Sequence, residues 1–406
     1  MKNQTIPLVA LAIMLLNPGA RAQVNTGSDG SDGALIVTAT TNIDMTGRPS
    51  GIYQYTSINI TNGATVTFTP NANNTPVVWL VQSNVVISGT VNLSGASGVG
   101  AVAGVGGPGG YRGGSGISPV GQGPGGGSAL VSSNFSNVRS GNASYGTLGS
   151  ISNLCSNVSN GIPGSVYGNI YLIPLLGGSG GGGITNSCGG VGGNGGGGAI
   201  LIAAAGQIQL NGTINCRGGL NNDVTCGSAS YYGGYGSGGA VRLVASTIAG
   251  SGTINTASGD NCSSDSNGGQ GRVRFDTYQN NYTGTITDGV FSQGSQFVIT
   301  PASGSGAQLY IATVAGQPVS STPSGVVITP DVFISALQTN PVPVQVQCAG
   351  LPLNTPITVT VTPLSGTPVS VTVSNVTGSV ASSTATALMP IPRGGGYVSA
   401  MATLGN

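Results

Sequence analysis

Three stretches of the chain carry nearly the same sequence, and each of them ends in a Gly-Thr corner. They read Val86-Ile87-Ser88-Gly89-Thr90-Val91-Asn92, Ile208-Gln209-Leu210-Asn211-Gly212-Thr213-Ile214-Asn215 and Ala249-Gly250-Ser251-Gly252-Thr253-Ile254-Asn255. A fainter fourth copy reads Tyr282-Thr283-Gly284-Thr285-Ile286-Thr287. A recurring corner after an aliphatic strand is what a stacked β-coil needs, because each coil buries its apolar side only against its neighbours.

An aliphatic strand precedes each corner at a nearly constant distance. These strands begin at Val77, Ala199 and Ala240, which lie 12, 13 and 12 residues before the corner glycine. The corners themselves are 123, 40 and 32 residues apart, so insertions separate the coils. We therefore predict an all-β fold in which residues 23–300 form a right-handed parallel β-helix with irregular, glycine-rich inserted loops.

The longest insertions are dense in glycine, with runs at Gly95–Gly127 and Gly177–Gly198. Such composition is typical of a flexible linker. It also suits loops that lie flat on the edge of the coils, since glycine adopts a positive φ at little cost. The sequence leaves both interpretations open.

From residue 315 to residue 406 the sequence pattern changes from glycine-rich stretches to short alternating strands. Apolar and polar residues alternate in Val342–Gln347, Ile357–Thr362 and Val369–Val373, with Pro and Gly between them. Short alternating strands over about ninety residues are typical of a β-sandwich of immunoglobulin-like size. We predict an Ig-like β-sandwich as the second domain.

Residues 1–22 read as a secretory signal peptide, with Lys2, an apolar run at Ile6–Leu16 and a small-residue site at Ala20-Arg21-Ala22. The remaining chain has eight Arg against nine Asp and no Lys, Glu or His. Nucleic-acid binding depends on clusters of Lys and Arg side chains that neutralise phosphates. Because this chain has few such side chains, nucleic acid is excluded as a main partner. We expect a secreted protein, extracellular or on the outer cell surface, without a transmembrane segment after the signal.

Six cysteines follow the signal peptide, and an oxidising compartment would preserve bridges between them. Spacing favours Cys155 with Cys188, and Cys216 with either Cys226 or Cys262, although other pairings remain open. Cys348 lies in the second domain and is left over as a free thiol.

Few residues could carry catalysis. Asp260, Asp265 and Asp276 are candidate carboxylates for attack on a polysaccharide, and stacked coils would bring Arg242 and Arg274 close to Asp276. The arginines would then contact a carbohydrate ligand. The plainer interpretation is that they lie on the solvent side and pair with Asp to protect an edge strand.

Two further groups suggest binding. Asp29 and Asp32 are spaced like carboxylates of a calcium loop, although they also fit a simple Asx turn. Calcium is the one cofactor that the sequence suggests. Tyr231, Tyr232 and Tyr235, set between glycines, could form an exposed platform for sugars or could instead cover the edge of a coil.

The strands Gly239-Ala240-Val241-Arg242-Leu243 and Gly271-Arg272-Val273-Arg274, followed by a small sandwich, resemble those of glycine-rich secreted bacterial β-helix proteins, in the style of adhesins and filamentous-haemagglutinin-like passengers. The resemblance implies a surface role and transfers no catalytic residue. We therefore expect a structural or adhesive protein without catalytic activity, with cell-surface or extracellular-matrix components as partners. A polysaccharide hydrolase or lyase, and a non-catalytic sugar-binding module, are the alternatives.

Overall fold

A computed structural model describes residues 24–131, 138–150, 161–187, 189–220, 222–227, 229–259, 267–295, 297, 308–320, 330–363 and 367–402. Every regular element among them is a β-strand, as the alternating sequence predicts. No helix in these ranges is long and apolar enough to cross a membrane.

The strands, in chain order, are β1 (Ala34–Val37), β2 (Thr41–Asp44), β3 (Ile52–Tyr55), β4 (Ser57–Ile60), β5 (Thr65–Thr69), β6 (Val77–Val81), β7 (Val85–Ile87), β8 (Thr90–Asn92), β9 (Leu130–Val131), β10 (Val138–Arg139), β11 (Ile184–Thr185), β12 (Ala199–Ala204), β13 (Gln207–Leu210), β14 (Thr213–Asn215), β15 (Asp223–Cys226), β16 (Ala229–Tyr232), β17 (Ala240–Gly250), β18 (Thr253–Asn255), β19 (Gly271–Tyr282), β20 (Thr285–Thr287), β21 (Gly289–Gly294), β22 (Gln308–Val314), β23 (Gln317–Pro318), β24 (Val342–Ala349), β25 (Pro356–Pro363), β26 (Val369–Ser374), β27 (Thr377–Ser379), β28 (Ser382–Met389) and β29 (Gly396–Ala402).

Apart from the short strands β9, β10, β11, β15 and β16, which form two small sheets of their own, the strands from β1 to β21 pair in parallel in three ladders, and each ladder follows chain order. The first ladder runs β3, β6, β12, β17, β19, β21. The second runs β1, β4, β7, β13 and then the far halves of β17 and β19. The third runs β2, β5, β8, β14, β18, β20. Each coil, meaning a segment with one strand in every ladder, therefore lies on the coil before it.

The three ladders nearly enclose one apolar core. Trp79 is fully buried there, with the ring of Tyr55 at 6.2 Å and the ring of Phe68 at 6.1 Å between centroids. The middle residue of β8, β14 and β18 in the third ladder also points inward, so that Val91, Ile214 and Ile254 are completely buried. Burial of apolar side chains from all coils holds the stack together.

The repeated corner glycines are explained by contact between backbones. A Cβ atom on Gly212 would lie 1.9 Å from the carbonyl oxygen of Gly89, and one on Gly252 would lie 2.2 Å from that of Gly212. Any side chain here would force neighbouring coils apart. The corner sequence thus marks a place where the backbones of stacked coils are in close contact.

The antiparallel region begins with β22 at Gln308, before the predicted start at residue 315. One sheet has the order β23-β22-β24-β28-β27 and the other β26-β25-β29. Val346 and Ala387 from the first sheet share a buried core with Val359 from the second. The predicted alternation in this region follows from that single buried face per sheet.

Candidate functional site

Residues 192–198 lie at the centre of a bundle of extended, glycine-rich segments. Their backbone amides donate to three neighbouring segments with a period of three residues, through bonds of 2.7 to 3.0 Å. Gly193 and Gly196 donate to the carbonyls of Gly114 and Tyr111, Asn194 and Gly197 to those of Gly234 and Ser237, and Gly195 and Gly198 to those of Ala96 and Leu93.

The carbonyls of the same residues accept from three other segments. The donors are the amides of Gly104 and Gly107, of Gly178 and Gly181, and of Gly219. The central segment therefore has six hydrogen-bonded neighbours, whereas a strand in a sheet has two. A period of three is that of the polyproline II helix, whose backbone groups are free to bond outward in several directions. We call this arrangement the glycine bundle; it comprises residues 93–127, 177–198, 216–219 and 233–239.

Close approach explains why the bundle needs glycine. A Cβ atom on Gly195 would lie 2.0 Å from the carbonyl oxygen of Val105, and one on Gly196 would lie 2.0 Å from that of Gly178. Neither of these two glycines has a positive φ, so close approach alone requires glycine here, whereas Gly100, Gly109 and Gly123 do have the expected positive φ. These segments are hydrogen-bonded structure and do not form a flexible linker.

The spacing of glycines in the sequence is a sign of the bundle. Glycines recur every third residue over part of the first insertion, at Gly95, Gly98, Gly104, Gly107, Gly110, Gly113 and Gly116. A spacing of three places these glycines on one side of a three-residue helix, where a neighbouring backbone can approach.

Several loops at which the bundle segments reverse direction lie together. The amide of Gly116 donates to the carbonyl of Ala101 over 2.8 Å, and the Thr185 hydroxyl donates to the carbonyl of Gly116 over 2.9 Å. These loops carry exposed apolar side chains, of which Ile117 is 91% exposed. We call this group the tip surface; its members are Val99, Val102, Ile117, Val120 and Val131.

The predicted approach of Arg242 and Arg274 to Asp276 is confirmed. The Arg242 Nη2 lies 2.9 Å from Asp276 Oδ2, and the Arg274 Nη2 lies 2.7 Å from Asp276 Oδ1. The expectation that the arginines face solvent is wrong, because both are 3% exposed and Asp276 is fully buried. Burial lowers the pKa of Arg242, and Asp276 opposes that shift. Asp260 and Asp265 lie outside the described residues.

The cluster joins the first ladder to an inserted loop. Arg274 Nη1 donates to the carbonyl of Ile170 over 3.3 Å, and its guanidinium lies over the ring of Tyr171. Its neighbour Arg272 likewise donates to the carbonyl of Tyr167 over 2.9 Å. These arginines bond to backbone of the protein itself, which is a structural role.

The tyrosines do not form an exposed platform. Tyr231 is buried in an apolar cluster with Val138, and Tyr235 is completely buried. The guanidinium of Arg139 lies 4.3 Å from the ring centroid of Tyr235 and 5.0 Å from that of Tyr232. The sugar-platform interpretation is therefore wrong, and the packing alternative is confirmed for Tyr231 and Tyr235.

The two N-terminal aspartates are engaged separately. Asp29 Oδ1 accepts from the amide of Ser31 over 2.8 Å in an Asx turn. Hydrogen bonds from the side chain of Ser31, and then from its amide, lower the pKa of the Asp29 carboxyl. Asp32 pairs with Arg48 and accepts from the amide of Gln54 over 2.7 Å. Across the described ranges, no group of three or more His, Cys, Asp or Glu residues could hold a metal ion.

Cys216 is a free, fully buried thiol, so the predicted bridge from Cys216 to Cys226 or Cys262 is wrong. Its position in the apolar core explains this, and burial raises its pKa. Cys348 is also free and buried, as expected. Cys226 is disulfide-bonded. Cys155, Cys188 and Cys262 lie outside the described residues, so the bridge from Cys155 to Cys188 stays a prediction.

The antiparallel region contacts the glycine bundle through a pair of tyrosines. The hydroxyl of Tyr111 donates to that of Tyr397, with ring centroids 6.4 Å apart. Tyr397 also packs against a buried cluster that contains Tyr145 and Tyr167. Burial raises the pKa of Tyr397 to about 12.

Comparison of the chain with protein-family models, with curated proteins and with solved structures finds no match.

Proposed function

We propose that this chain is a secreted or cell-surface adhesive protein: a right-handed parallel β-helix that presents the glycine bundle, followed by an Ig-like β-sandwich. Three ladders in chain order around one core support the first part of this architecture. Two antiparallel sheets over a shared core support the second.

The tip surface is the observation that carries the proposal. Its side chains are apolar and exposed, and they lie on loops that connect hydrogen-bonded segments of the glycine bundle or pack beside them. Exposed apolar patches on folded proteins mark interaction sites. Because the loops are held in place before contact, binding costs little further ordering of the chain.

The partner proposed for this surface is an apolar or weakly polar patch on a cell-surface or extracellular-matrix component. Arg and Asp are few, and no charged residue belongs to the tip surface. Contact would therefore depend on apolar burial, at about 25 cal/mol per Å², and would respond weakly to salt.

The polysaccharide-cleaving alternative has less support. Its three carboxylates include Asp276, which is completely buried between two arginines and shielded from a substrate. A hydrolase needs two carboxyl groups that both reach the scissile bond.

Binding of the purified chain to intact cells of the host organism, and to its extracellular matrix, tests the proposal. Val99→Ser combined with Ile117→Ser should reduce bound protein at least tenfold. Val376→Ser combined with Val380→Ser alters two exposed valines in the antiparallel region and should change binding less than twofold. Equal binding by the wild type and the tip variant would disprove the adhesive role of this surface, and recovery of the native protein only from cytoplasm would disprove secretion.

A further inference from the structure

The corner threonines form a column on the outer face of the third ladder. Strand pairing places Thr90 beside Thr213, Thr213 beside Thr253 and Thr253 beside Thr285, and Thr65 stands beside Thr90 at the other end. The residue after each threonine points into the core, so the threonines point away from it. Five identical side chains are thus aligned along the stack.

A second column lies two residues further along the same strands. It contains Asn92, Asn215, Asn255 and Thr287 in direct register. The Oδ1 of Asn92 accepts from the amide of Ser94, and that of Asn255 from the amide of Ala257, so local bonds fix these two amide groups. Neither column contains a charged or aromatic residue.

Together the columns make a regular two-column array of hydroxyl and amide side chains, in which the Oδ1 of Asn215 is buried. Neighbouring strands are about 4.8 Å apart and residues two positions apart along a strand are about 6.6 Å apart. Because successive coils are paired in three ladders at once, rotation of one coil relative to the next is restricted. Threonine is β-branched, and its few rotamers keep the hydroxyls and methyl groups in place.

The outer faces of the other ladders show that the fold does not require such repetition. In the second ladder the outward positions of four successive coils hold Asn59, Val86, Gln209 and Ala249. On the first ladder, outward side chains such as Leu201 are covered by an apolar cluster. The third ladder alone combines repeated residues with an uncovered face.

The hydroxyls in the threonine column are available to a ligand. Throughout the described part of the chain, no side-chain or backbone group hydrogen-bonds to the hydroxyl of Thr65, Thr90, Thr213, Thr253 or Thr285. These groups can therefore all bond outward, at regular intervals.

We propose that this face, which we call the threonine array, binds the ordered water lattice of an ice surface. An ice surface presents oxygen atoms at regular repeats of a few ångströms, which is the scale of this array. Hydroxyl groups with few rotamers can hold such bridging waters at a small ordering cost. A crystalline polysaccharide also has a regular surface. Sugar rings are usually held by aromatic faces, and the array has none, so ice fits these residues better.

Uptake of the purified full chain into slowly growing ice tests the inference, together with inhibition of ice recrystallisation. The wild type should enter ice in clear excess over a non-binding protein of similar mass. Thr213→Lys, which places a strongly hydrated charge in the middle of the array, should reduce uptake at least fivefold. Gln209→Lys introduces the same charge on the same coil but on the second ladder, and should change uptake less than twofold.

A second variant keeps the shape of the face. Thr213→Val combined with Thr253→Val retains β-branched side chains and removes two hydroxyls, so uptake should fall about threefold with the melting temperature preserved. Exclusion of the wild type from ice would overturn the proposal, as would equal uptake by the wild type and Thr213→Lys, or equal losses in the two lysine variants. Sedimentation with crystalline cellulose or chitin that Thr213→Lys abolishes, without uptake into ice, would also overturn it.

Discussion

The parallel ladders and the glycine bundle are both built from extended segments laid side by side, but they are held together differently. In the ladders each strand bonds to two neighbours and buries side chains such as Trp79 in a shared core. In the bundle the central segment bonds to six neighbours and has almost no side chains to bury. The ladders are therefore stabilised mainly by buried apolar side chains. The bundle, which has almost no side chains, is stabilised mainly by backbone hydrogen bonds to neighbours on all sides.

The two kinds of packing position two different surfaces for contact with partners. The ladders are a scaffold whose outer faces can display side chains in regular positions, and the threonine array is one such face. The bundle holds loops far from the core in fixed positions, of which the tip surface is the exposed end. Each region therefore supplies one of the two proposed contact surfaces.

The largest effect is expected from a single methyl group in the bundle. Gly195→Ala would place Cβ 2.0 Å from the Val105 carbonyl oxygen, and neither backbone can move without breaking bonds to several neighbours. We expect the free energy of unfolding to fall by at least about 4 kcal/mol, measured by denaturant titration. Gly47→Ala is the control, because its Cβ would meet nothing within 4 Å, and it should change stability by less than about 0.5 kcal/mol. A tolerated Gly195→Ala would contradict the six-neighbour packing.

In the ladders a large loss of stability is expected from the opposite change, the removal of a buried side chain. Trp79→Ala would leave a cavity between Tyr55 and Phe68 and should lower the free energy of unfolding by about 3 to 5 kcal/mol. Leu337→Ala, at a position that is 90% exposed, provides the control and should be nearly neutral. If Trp79→Ala were as mild as the control, the shared core would not be the main source of stability.

Asp276→Asn tests the junction between the first ladder and the loop above it. The substitution leaves two buried guanidinium groups with a neutral partner, so the free energy of unfolding should fall by about 3 kcal/mol. Asp44→Asn, on an exposed carboxylate, should be nearly neutral. Full stability together with loss of a polysaccharide-cleaving activity would instead support the enzymatic alternative.

The smallest effect concerns pH and the tyrosine contact between the bundle and the antiparallel region. Because burial raises the pKa of Tyr397 to about 12, the folded state favours the neutral phenol. The stabilisation is complete below the unfolded pKa of about 10 and is lost as pH rises from there to the folded pKa. Tyr397→Phe should cost about 1 kcal/mol at neutral pH and should weaken the decline in stability above pH 10, followed by denaturant titration. An unchanged alkaline decline would show that Tyr397 does not cause it.

The corners, the strands before them and the meeting of Arg242 with Asp276 could be predicted because they rest on local patterns and on a constant offset between coils. The burial of the arginines could not, since the loop that covers them, at Ile170, follows no such pattern. The tyrosines were placed in the right region, but Arg139 lies over ninety residues from Tyr235 in sequence. The bundle could not be predicted for a related reason. Its hydrogen bonds join segments that are distant in sequence, and glycine has no side chain that could give an apolar periodicity.

Hydrogen exchange of backbone amides tests the central claim most directly, because an ordered bundle and a flexible linker differ there by orders of magnitude. Amides of residues 193–198 should exchange as slowly as those of β12, the strand that follows them, and at least a hundredfold slower than the exposed amide of Gly63. Exchange of residues 193–198 at the rate of an unstructured glycine peptide would contradict the account.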